Sequence, residues 1–213
     1  MINLRPYTND KYILIEVKQD YFDIEYTKED IVLDLGAHIG IYTCLVSDKV
    51  KQVYSFEPER DNFRMLKNNT NELVNVKIYN KAVTNKTGKT LLYIDNCYNT
   101  GGHMTVVDDK SKFSTQEVNT VGLQKLLDKY KPTILKCDIE GSEYNFFDIV
   151  FNKELRYLII EIHYCIHLNL YNVEFHLLLK YLAKYFKMVK EKDRLEDSEG
   201  QLVACTYILP RLL

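Results

Sequence analysis

The chain of 213 residues contains no apolar run that approaches the roughly 18 residues of a membrane span. Its first residues include Arg5 and Asp10 and lack the apolar segment of a secretory signal. The five cysteines are scattered and form no CxxC pair, which is typical of free thiols in a reducing compartment. These absences argue against a membrane protein, a secreted protein and a structural zinc site, and they predict a cytoplasmic protein.

A strong excess of charge of either sign is also missing. The sequence has 28 Lys and Arg against 30 Asp and Glu, a net charge of -2. Nucleic-acid binding normally shows as a basic excess on the domain, so this balance argues against a nucleic-acid partner. A chain of this length with 46% hydrophobic residues can bury a sizeable core without disulfides, and we predict a single domain over residues 1–213.

Short apolar stretches alternate with amphipathic ones from Ile31 onward. This alternation predicts an α/β fold with a mostly parallel sheet and helices on both of its faces. The predicted strands cover residues 31–35, 52–56, 74–79, 132–138, 155–162, 187–191 and 201–209. The predicted helices cover residues 41–47, 60–69, 122–130, 142–151 and 173–186.

Two segments after the third strand depart from simple alternation. A turn-forming cluster at residues 84–88 predicts an extra β-hairpin or an extra strand pair at residues 81–83 and 90–94. Residues 95–121 are polar and lack helical periodicity, so we predict an irregular insertion that ends in a short strand. Because long irregular segments in compact domains tend to be functional, we place this insertion near the substrate site.

The two ends of the chain are simpler. Residues 1–30 hold one predicted strand, at residues 12–17, and would form a lead-in or a cap rather than a domain. A charged turn over residues 193–200 is predicted to join the last two strands.

The glycines after the first strand give the strongest indication of a ligand. Residues 32–40 read V-L-D-L-G-A-H-I-G, and the acid Glu57 ends the second strand, 21 residues after Gly36. Glycine lets a ligand approach the backbone, and an acid at about this distance can accept both hydroxyls of a ribose. The D-x-G-x-x-x-G spacing is that of S-adenosylmethionine (SAM) sites rather than the G-x-G-x-x-G of nicotinamide sites. An NAD-linked oxidoreductase on a similar sheet, or a turn that binds nothing, stays open as an alternative.

Acidic residues follow the fourth and fifth predicted strands. Asp138 and Glu140 lie in K-C-D-I-E-G-S-E, and Glu161 lies in I-E-I-H. Ligands of open α/β sheets bind at the carboxyl ends of the strands, where these side chains fall. Asp138 and Glu140 could position substrate hydroxyls or hold a divalent cation, or Asp138 could simply cap the next helix.

Two histidines are candidates for a general base. His163 ends the fifth strand, and an unperturbed imidazole has a pKa of about 6.5, close to working pH. His103 lies in the predicted insertion. His167 stands four residues after His163, and a metal pair of the two would need helical spacing directly after a strand.

Taken together, these segments resemble the FkbM family of SAM-dependent methyltransferases. The family has V-L-D-x-G-A-x-x-G, F-E-P, K-x-D-x-E-G-x-E and an E-x-H-like end of strand five, here at residues 32–40, 56–58, 136–143 and 161–163. The resemblance covers roughly residues 28–165. It implies a Rossmann-like class I SAM-dependent methyltransferase fold, with a seven-stranded, mostly parallel sheet whose last strand is antiparallel.

The resemblance also implies where SAM binds. The methionine end would lie against Asp34, Gly36 and Gly40, within the turn that also holds Ala37 and His38. Glu57 would bind the ribose, and Ala82 and Val83 would lie near the adenine. Asp138 would face the methyl-transfer region, with Glu140 on the substrate side. His38 stands where many relatives carry Asn, a change that alters cofactor contacts more than class.

The family implies O-methylation of a hydroxyl on a sugar or a sugar-containing natural product, by SN2 methyl transfer. The catalytic candidates are Asp138, Glu140, His163 and His103, and Asp138 with Glu161 could hold a divalent cation that polarises the hydroxyl. An RNA methyltransferase is the alternative within the same cofactor class. The predicted partner is a small carbohydrate acceptor, and a second subunit in a homodimer could complete the site for a larger one.

Overall fold

The computed structural model describes residues 2–95, 103, 113–163, 171–187, 193–196 and 202–212. Ten strands lie within them: β1 Ile31–Leu35, β2 Gln52–Phe56, β3 Val76–Tyr79, β4 Ala82–Thr84, β5 Gly88–Asp95, β6 Phe113–Gly122, β7 Ile134–Cys137, β8 Tyr157–His163, β9 Asp193–Glu196 and β10 Leu202–Pro210. The helices are α1 Asp10–Asp20, α2 Ile41–Ser47, α3 Arg60–Thr70, α4 Leu123–Tyr130 and α5 Tyr171–Leu182, with a 3-10 helix at Ser142–Asp148.

Seven of the strands form the central sheet, in the order β3-β2-β1-β7-β8-β10-β9. The first five pair in parallel, and β10 is antiparallel to both β8 and β9. The sheet confirms the predicted Rossmann-like α/β fold with an antiparallel last strand. The prediction succeeded because strands buried on both faces are almost continuously apolar, as in β1, where Val32, Leu33 and Leu35 have no exposed surface.

Helices cover both faces of this sheet. Alternate residues of β1 point to opposite faces, so Val32 packs with α1 and α2 while Leu33 packs with α4 and α5. No helix among the described residues is long and apolar enough to cross a membrane.

The strands after β3 form a second sheet, in the order β4-β6-β5. The pairing differs from the predicted hairpin, because β4 and β5 both pair with β6 and not with each other. Strand β5 pairs with β6 over all eight of its residues, many more than the three residues of β4 could offer. The predicted irregular insertion therefore ends in a ten-residue strand, while residues 96–102 and 104–112 lie outside the described part of the chain.

Two predictions near the ends of the chain were wrong. Residues 12–17 belong to helix α1, not to a strand, because Ile13, Val17 and Tyr21 recur every four residues and pack on the core together. Strand β9 lies at Asp193–Glu196, inside the predicted charged turn, while residues 188–192 are not described. Charged residues are common on such edge strands, which explains why the turn prediction failed.

The predicted helix over residues 142–151 is shorter and tighter in the structure, where it is the 3-10 helix Ser142–Asp148. It begins after Gly141, whose φ is 92°. The carboxylate of Glu143 accepts hydrogen bonds from the backbone N–H groups of Ile139 and Gly141 at 2.9 Å each. A side chain of the 3-10 helix thus stabilises the turn that precedes it.

Candidate functional site

A cavity of about 360 Å³ lies at the carboxyl ends of β1, β2, β7 and β8. This volume is within the range of roughly 300–1,000 Å³ that is usual for small-molecule sites. Its walls come from the turn after β1, the end of β2, the start of β4, the loop after β7, the end of β8 and helix α1.

The turn between β1 and α2 presents its backbone to the cavity. Gly36 and Ala37 both donate their N–H to the carbonyl of Phe56 at 3.0 Å, which ties the turn to the end of β2. Gly36 has a φ of 72°, and a Cβ on it would lie 1.7 Å from the carbonyl oxygen of Asp138. Glycine is therefore required at residue 36, and β1 and β7 approach each other with no side chain between them.

Of the residues predicted for the methionine end of SAM, Gly36, Ala37 and His38 line the cavity. Gly40 does not line the cavity. Its φ is 87° and a Cβ there would lie 2.6 Å from Leu66 Cδ1, so the missing side chain lets α3 pack close to the turn.

Asp34 also lies behind the cavity wall, fully buried. It accepts the hydroxyl of Thr43 at 2.6 Å and lies 3.6 Å from Nζ of Lys136. Lys136 in turn donates to the carbonyl of Gly36 at 2.7 Å. Asp34 thus supports the turn indirectly, through Lys136, and does not itself line the cavity.

Glu57 presents a fixed carboxylate to the cavity. Its Oε2 accepts the N–H of His38 at 2.8 Å and its Oε1 accepts the N–H of Glu59 at 2.9 Å. The side chain is almost fully buried, and burial raises the pKa of Glu57 to about 7. Ala82 and Val83, which were predicted near the adenine, are buried and line the same cavity.

The acids and the histidine from the fourth and fifth predicted strands meet in one cluster at the other side of the cavity. His163 Nε2 lies 3.2 Å from Glu140, 3.5 Å from Glu161 and 3.9 Å from Asp138. Its Nδ1 lies 3.3 Å from Glu143, which is fully buried.

This crowding changes the protonation of the cluster. Burial alone would lower the pKa of His163, but the surrounding carboxylates, with Glu140 and Glu143 foremost, raise it well above its usual value. Burial raises the pKa of Glu140 to about 8 and that of Glu161 to about 7. The carboxylates therefore favour the protonated imidazole, which is a poor proton acceptor, while Glu140 is mainly ionised only above about pH 8.

Three members of the cluster could bind a cation. Asp138, Glu161 and His163 each offer one ligand atom, and these atoms lie within 4.8 Å of one another. The sequence pointed to Asp138 and Glu161, and to His163 only as a pair with His167, whereas the structure groups His163 with the two acids. His167 falls outside the described residues.

His103 lines the cavity as well and is half-buried. It is the one described residue between positions 96 and 112, and it places this part of the predicted insertion at the site.

Sequence reasoning missed the residues that the N-terminal region supplies. Asn9, Ile13 and Glu16 line the cavity, and the hydroxyl of Tyr21 donates to Glu161 at 2.9 Å. Arg5 contacts His38. These contacts join residues far apart in the chain, and no motif or spacing indicates them. Residues 9–21 thus form part of the cavity wall.

Comparison with known proteins gives the following matches. The family model described as the Methyltransferase FkbM domain matches residues 34–188. The hexuronic acid methyltransferase AglP of Haloferax volcanii is 24% identical over 145 residues, covering 65% of this chain and 58% of AglP.

Two solved structures are similar to this chain at low sequence identity. Trm5b from Pyrococcus abyssi aligns over 100% of this chain and 51% of its own, with 9% identity and a TM-score of 0.53. Methyltransferase FkbM from Methylobacillus flagellatus aligns over 95% of this chain and 48% of its own, with 17% identity and a TM-score of 0.49. The chain thus spans little more than half the length of AglP and about half of each solved chain.

Proposed function

Because the chain belongs to the FkbM methyltransferase family, we propose that it transfers a methyl group from SAM to a hydroxyl of a sugar or a sugar-containing acceptor. One observation carries this proposal: a single cavity joins the glycine turn and Glu57 to the acids around His163. Residues suited to a nucleoside cofactor and residues suited to an acceptor hydroxyl thus share one space. The hexuronic acid methyltransferase AglP, a relative by sequence, supports a carbohydrate as the acceptor.

Three features on one side of the cavity support SAM as the cofactor. The carboxylate of Glu57 is oriented by two backbone N–H groups and would accept the two ribose hydroxyls. Ala82 and Val83 would provide an apolar wall for the adenine, and the backbone at Gly36 leaves room for the methionine end. When bound, SAM supplies a methyl group on a positively charged sulfur, which an oxygen nucleophile can attack.

The acid cluster would serve the acceptor. As the new O–CH₃ bond forms and the S–CH₃ bond breaks, the hydroxyl proton must pass to a base. We assign this role to the ionised form of Glu140, which predominates above its pKa of about 8, because Glu161 already accepts the Tyr21 hydroxyl and Asp138 lies 3.4 Å from Nζ of Lys136. His163, held protonated, would orient Glu140 from 3.2 Å rather than act as the base itself.

Glu140→Gln tests the assignment. We expect kcat to fall by about 100-fold or more, the usual effect of losing a general base, with Kd for SAM unchanged. Initial rates of demethylated cofactor formation and calorimetry with SAM measure the two quantities. The exposed Glu154→Gln is the matched control. Full kcat in Glu140→Gln would show that another group takes the proton.

A divalent cation at Asp138, Glu161 and His163 is the alternative way to activate the hydroxyl. Turnover in EDTA distinguishes the two. Loss of turnover that Mg²⁺ or Mn²⁺ restores would favour the cation, and unchanged turnover would leave the carboxylate mechanism.

The affinity for SAM should depend on pH. Since the pKa of Glu57 is raised to about 7, its carboxylate gains a proton as the pH falls below that value and loses an acceptor for a ribose hydroxyl. We expect Kd for SAM to rise by up to about tenfold per pH unit between about pH 7 and pH 5. In Glu57→Gln the same titration should be nearly flat, and a parallel slope in both proteins would contradict the role of Glu57.

The proposed function itself is tested in two steps. Thermal shift with SAM, its demethylated product and NADH identifies the cofactor; a shift with NADH alone would favour an oxidoreductase, and no shift with SAM would overturn the proposal. Transfer of labelled methyl from SAM is then measured on methyl glycosides of neutral hexoses and of hexuronic acids, and on total RNA. We expect label on a sugar hydroxyl, and label on RNA alone would favour an RNA methyltransferase.

A further inference from the structure

The N-terminal segment, defined here as residues 2–21, precedes the residues that the family model matches, 34–188. It nevertheless reaches the cofactor side of the cavity. One of its attachments is the side chain of Arg5, which is only 19% exposed and contacts both Asp10, in the same segment, and His38 of the glycine turn.

The guanidinium of Arg5 bonds three side chains at once. It donates to Asp10 Oδ1 at 2.9 Å, Asp10 Oδ2 at 3.0 Å, His38 Nε2 at 2.9 Å and Asn62 Oδ1 at 2.8 Å. Asp10 is fully buried, and its Oδ2 also accepts the backbone N–H of Arg5 at 2.8 Å. The charge and the planar shape of Arg5 are thus matched by its surroundings.

The contact with His38 fixes the form of the imidazole. A guanidinium can only donate, so Nε2 of His38 must accept and the ring hydrogen must lie on Nδ1. Burial lowers the pKa of His38 to about 3; the Asp10 carboxylate opposes this shift and the Arg5 charge adds to it. The ring is therefore neutral at working pH.

Two of the three residues that Arg5 contacts, His38 and Asn62, also hold Glu57. The backbone of His38 is in the left-handed region, with a φ of 52°, and its N–H donates to Glu57 Oε2 at 2.8 Å. Asn62, which accepts from Arg5, also hydrogen-bonds the Glu57 side chain. The guanidinium thus contacts two of the residues that hydrogen-bond the carboxylate, and Glu59 supplies a further bond through its backbone N–H.

We propose that Arg5 is a positioning residue of the cofactor site, which fixes the Glu57 carboxylate through His38 and Asn62. The inference rests on the proposed function, because it assumes that Glu57 binds the ribose of SAM. It assigns a role in cofactor binding to a part of the chain outside the matched family domain.

Calorimetry with SAM on the full chain tests the inference. Arg5→Met should raise Kd for SAM by about tenfold or more, as for other residues that orient a ligating group. Arg5→Lys keeps the charge beside Asp10, but its compact ammonium has three donors and lacks the planar fork that makes four hydrogen bonds here, so it should recover only part of the affinity. If circular dichroism shows that Arg5→Met is unfolded, Arg5→Lys carries the test with an expected loss of about threefold or more.

Two controls separate positioning from a general loosening of the segment. Thr8→Ala removes the hydroxyl that donates to the Arg5 carbonyl and accepts from the Asp10 N–H, yet leaves the guanidinium in place, and should keep wild-type affinity. In a Glu57→Gln background, the further loss from Arg5→Met should be less than about twofold, because Arg5 acts through Glu57.

Nitrogen-15 spectra of the imidazoles give a readout independent of binding. Wild-type His38 should show the neutral form protonated at Nδ1. In Arg5→Met the pKa of His38 should rise, because the charge of Arg5 no longer opposes protonation while the Asp10 carboxylate at 3.7 Å and Asp138 favour it; burial and His103 still oppose it.

Unchanged SAM affinity in the Arg5 variants, or an equal loss in Thr8→Ala, would overturn the inference and leave the proposed function standing. Absence of SAM binding by the wild-type protein would overturn the proposed function, and the role of Arg5 in cofactor binding with it. The spectra would then still report whether Arg5 fixes His38.

Discussion

Glu57→Gln is expected to lose affinity for SAM by about 100-fold or more. The carboxylate would accept two ribose hydroxyls, and a hydrogen bond to a charged group contributes about 1.5–3 kcal/mol. The amide nitrogen of Gln would also face the N–H of either His38 or Glu59, where only an acceptor fits. A combined loss of about 3 kcal/mol corresponds to roughly two factors of ten in Kd.

Calorimetry with SAM and with its demethylated product measures the loss. Asp61→Asn is the matched control, because Asp61 is an acid near Glu57 in sequence whose side chain is 69% exposed. The control should bind both ligands as the wild-type protein does. A change of less than about threefold in Glu57→Gln would contradict the assignment of Glu57 to the ribose.

Gly36→Ala is expected to destabilise the protein strongly and to abolish cofactor binding. The added Cβ would lie 1.7 Å from the carbonyl oxygen of Asp138, so the turn and the loop after β7 would have to separate. The left-handed backbone at residue 36 adds about 1–2 kcal/mol for any side chain, and overpacking adds about 1–3 kcal/mol. For a chain of this length, a total near 3 kcal/mol lowers Tm by about 6–12 °C.

Thermal unfolding by circular dichroism and calorimetry with SAM check both parts of this expectation. Gly88→Ala provides the control, since a Cβ there would approach nothing closer than Thr120 Oγ1 at 4.0 Å. It should change Tm by no more than about 3 °C. If Gly36→Ala kept wild-type Tm and affinity, the close approach of the two backbones would matter neither for stability nor for cofactor binding.

The first half of the fold was predictable because its signals are local. Strand β1 is apolar at every residue except Asp34, Gly36 follows its end, and both β2 and α2 have the predicted bounds. The length of strand β6 was underestimated because few of its residues are apolar and buried, among them Val118 and Val121. Its partner β5 is separated from it by a long connection, so short-range patterns do not reveal the pairing.

The candidate site was predictable to the extent that strand ends define it. Glu57, Asp138, Glu161 and His163 were all expected at one edge of the sheet, and the structure brings them to one cavity. The protonation of His163 was not predictable, because it depends on carboxylates from three separate elements. The position of Asp34 behind the wall also needed the structure, since the motif does not tell a lining residue from a supporting one.

The N-terminal contribution could not be inferred from the sequence. Arg5 lies 33 residues before His38, and Tyr21 lies 140 residues before Glu161. No periodicity or motif connects such pairs, because the contacts arise only once α1 packs on the sheet.

The contact between Gly36 and the Asp138 carbonyl has a consequence for how this protein can change over evolution. The two sides of the cavity that we propose for cofactor and acceptor approach each other through main-chain atoms, which do not change when a side chain is substituted. Under the proposed function, substitutions around Glu140 or His103 would alter which acceptor is accommodated while the spacing between the two sides stays the same. New acceptor preferences would then be accessible through single substitutions that leave the transfer distance intact.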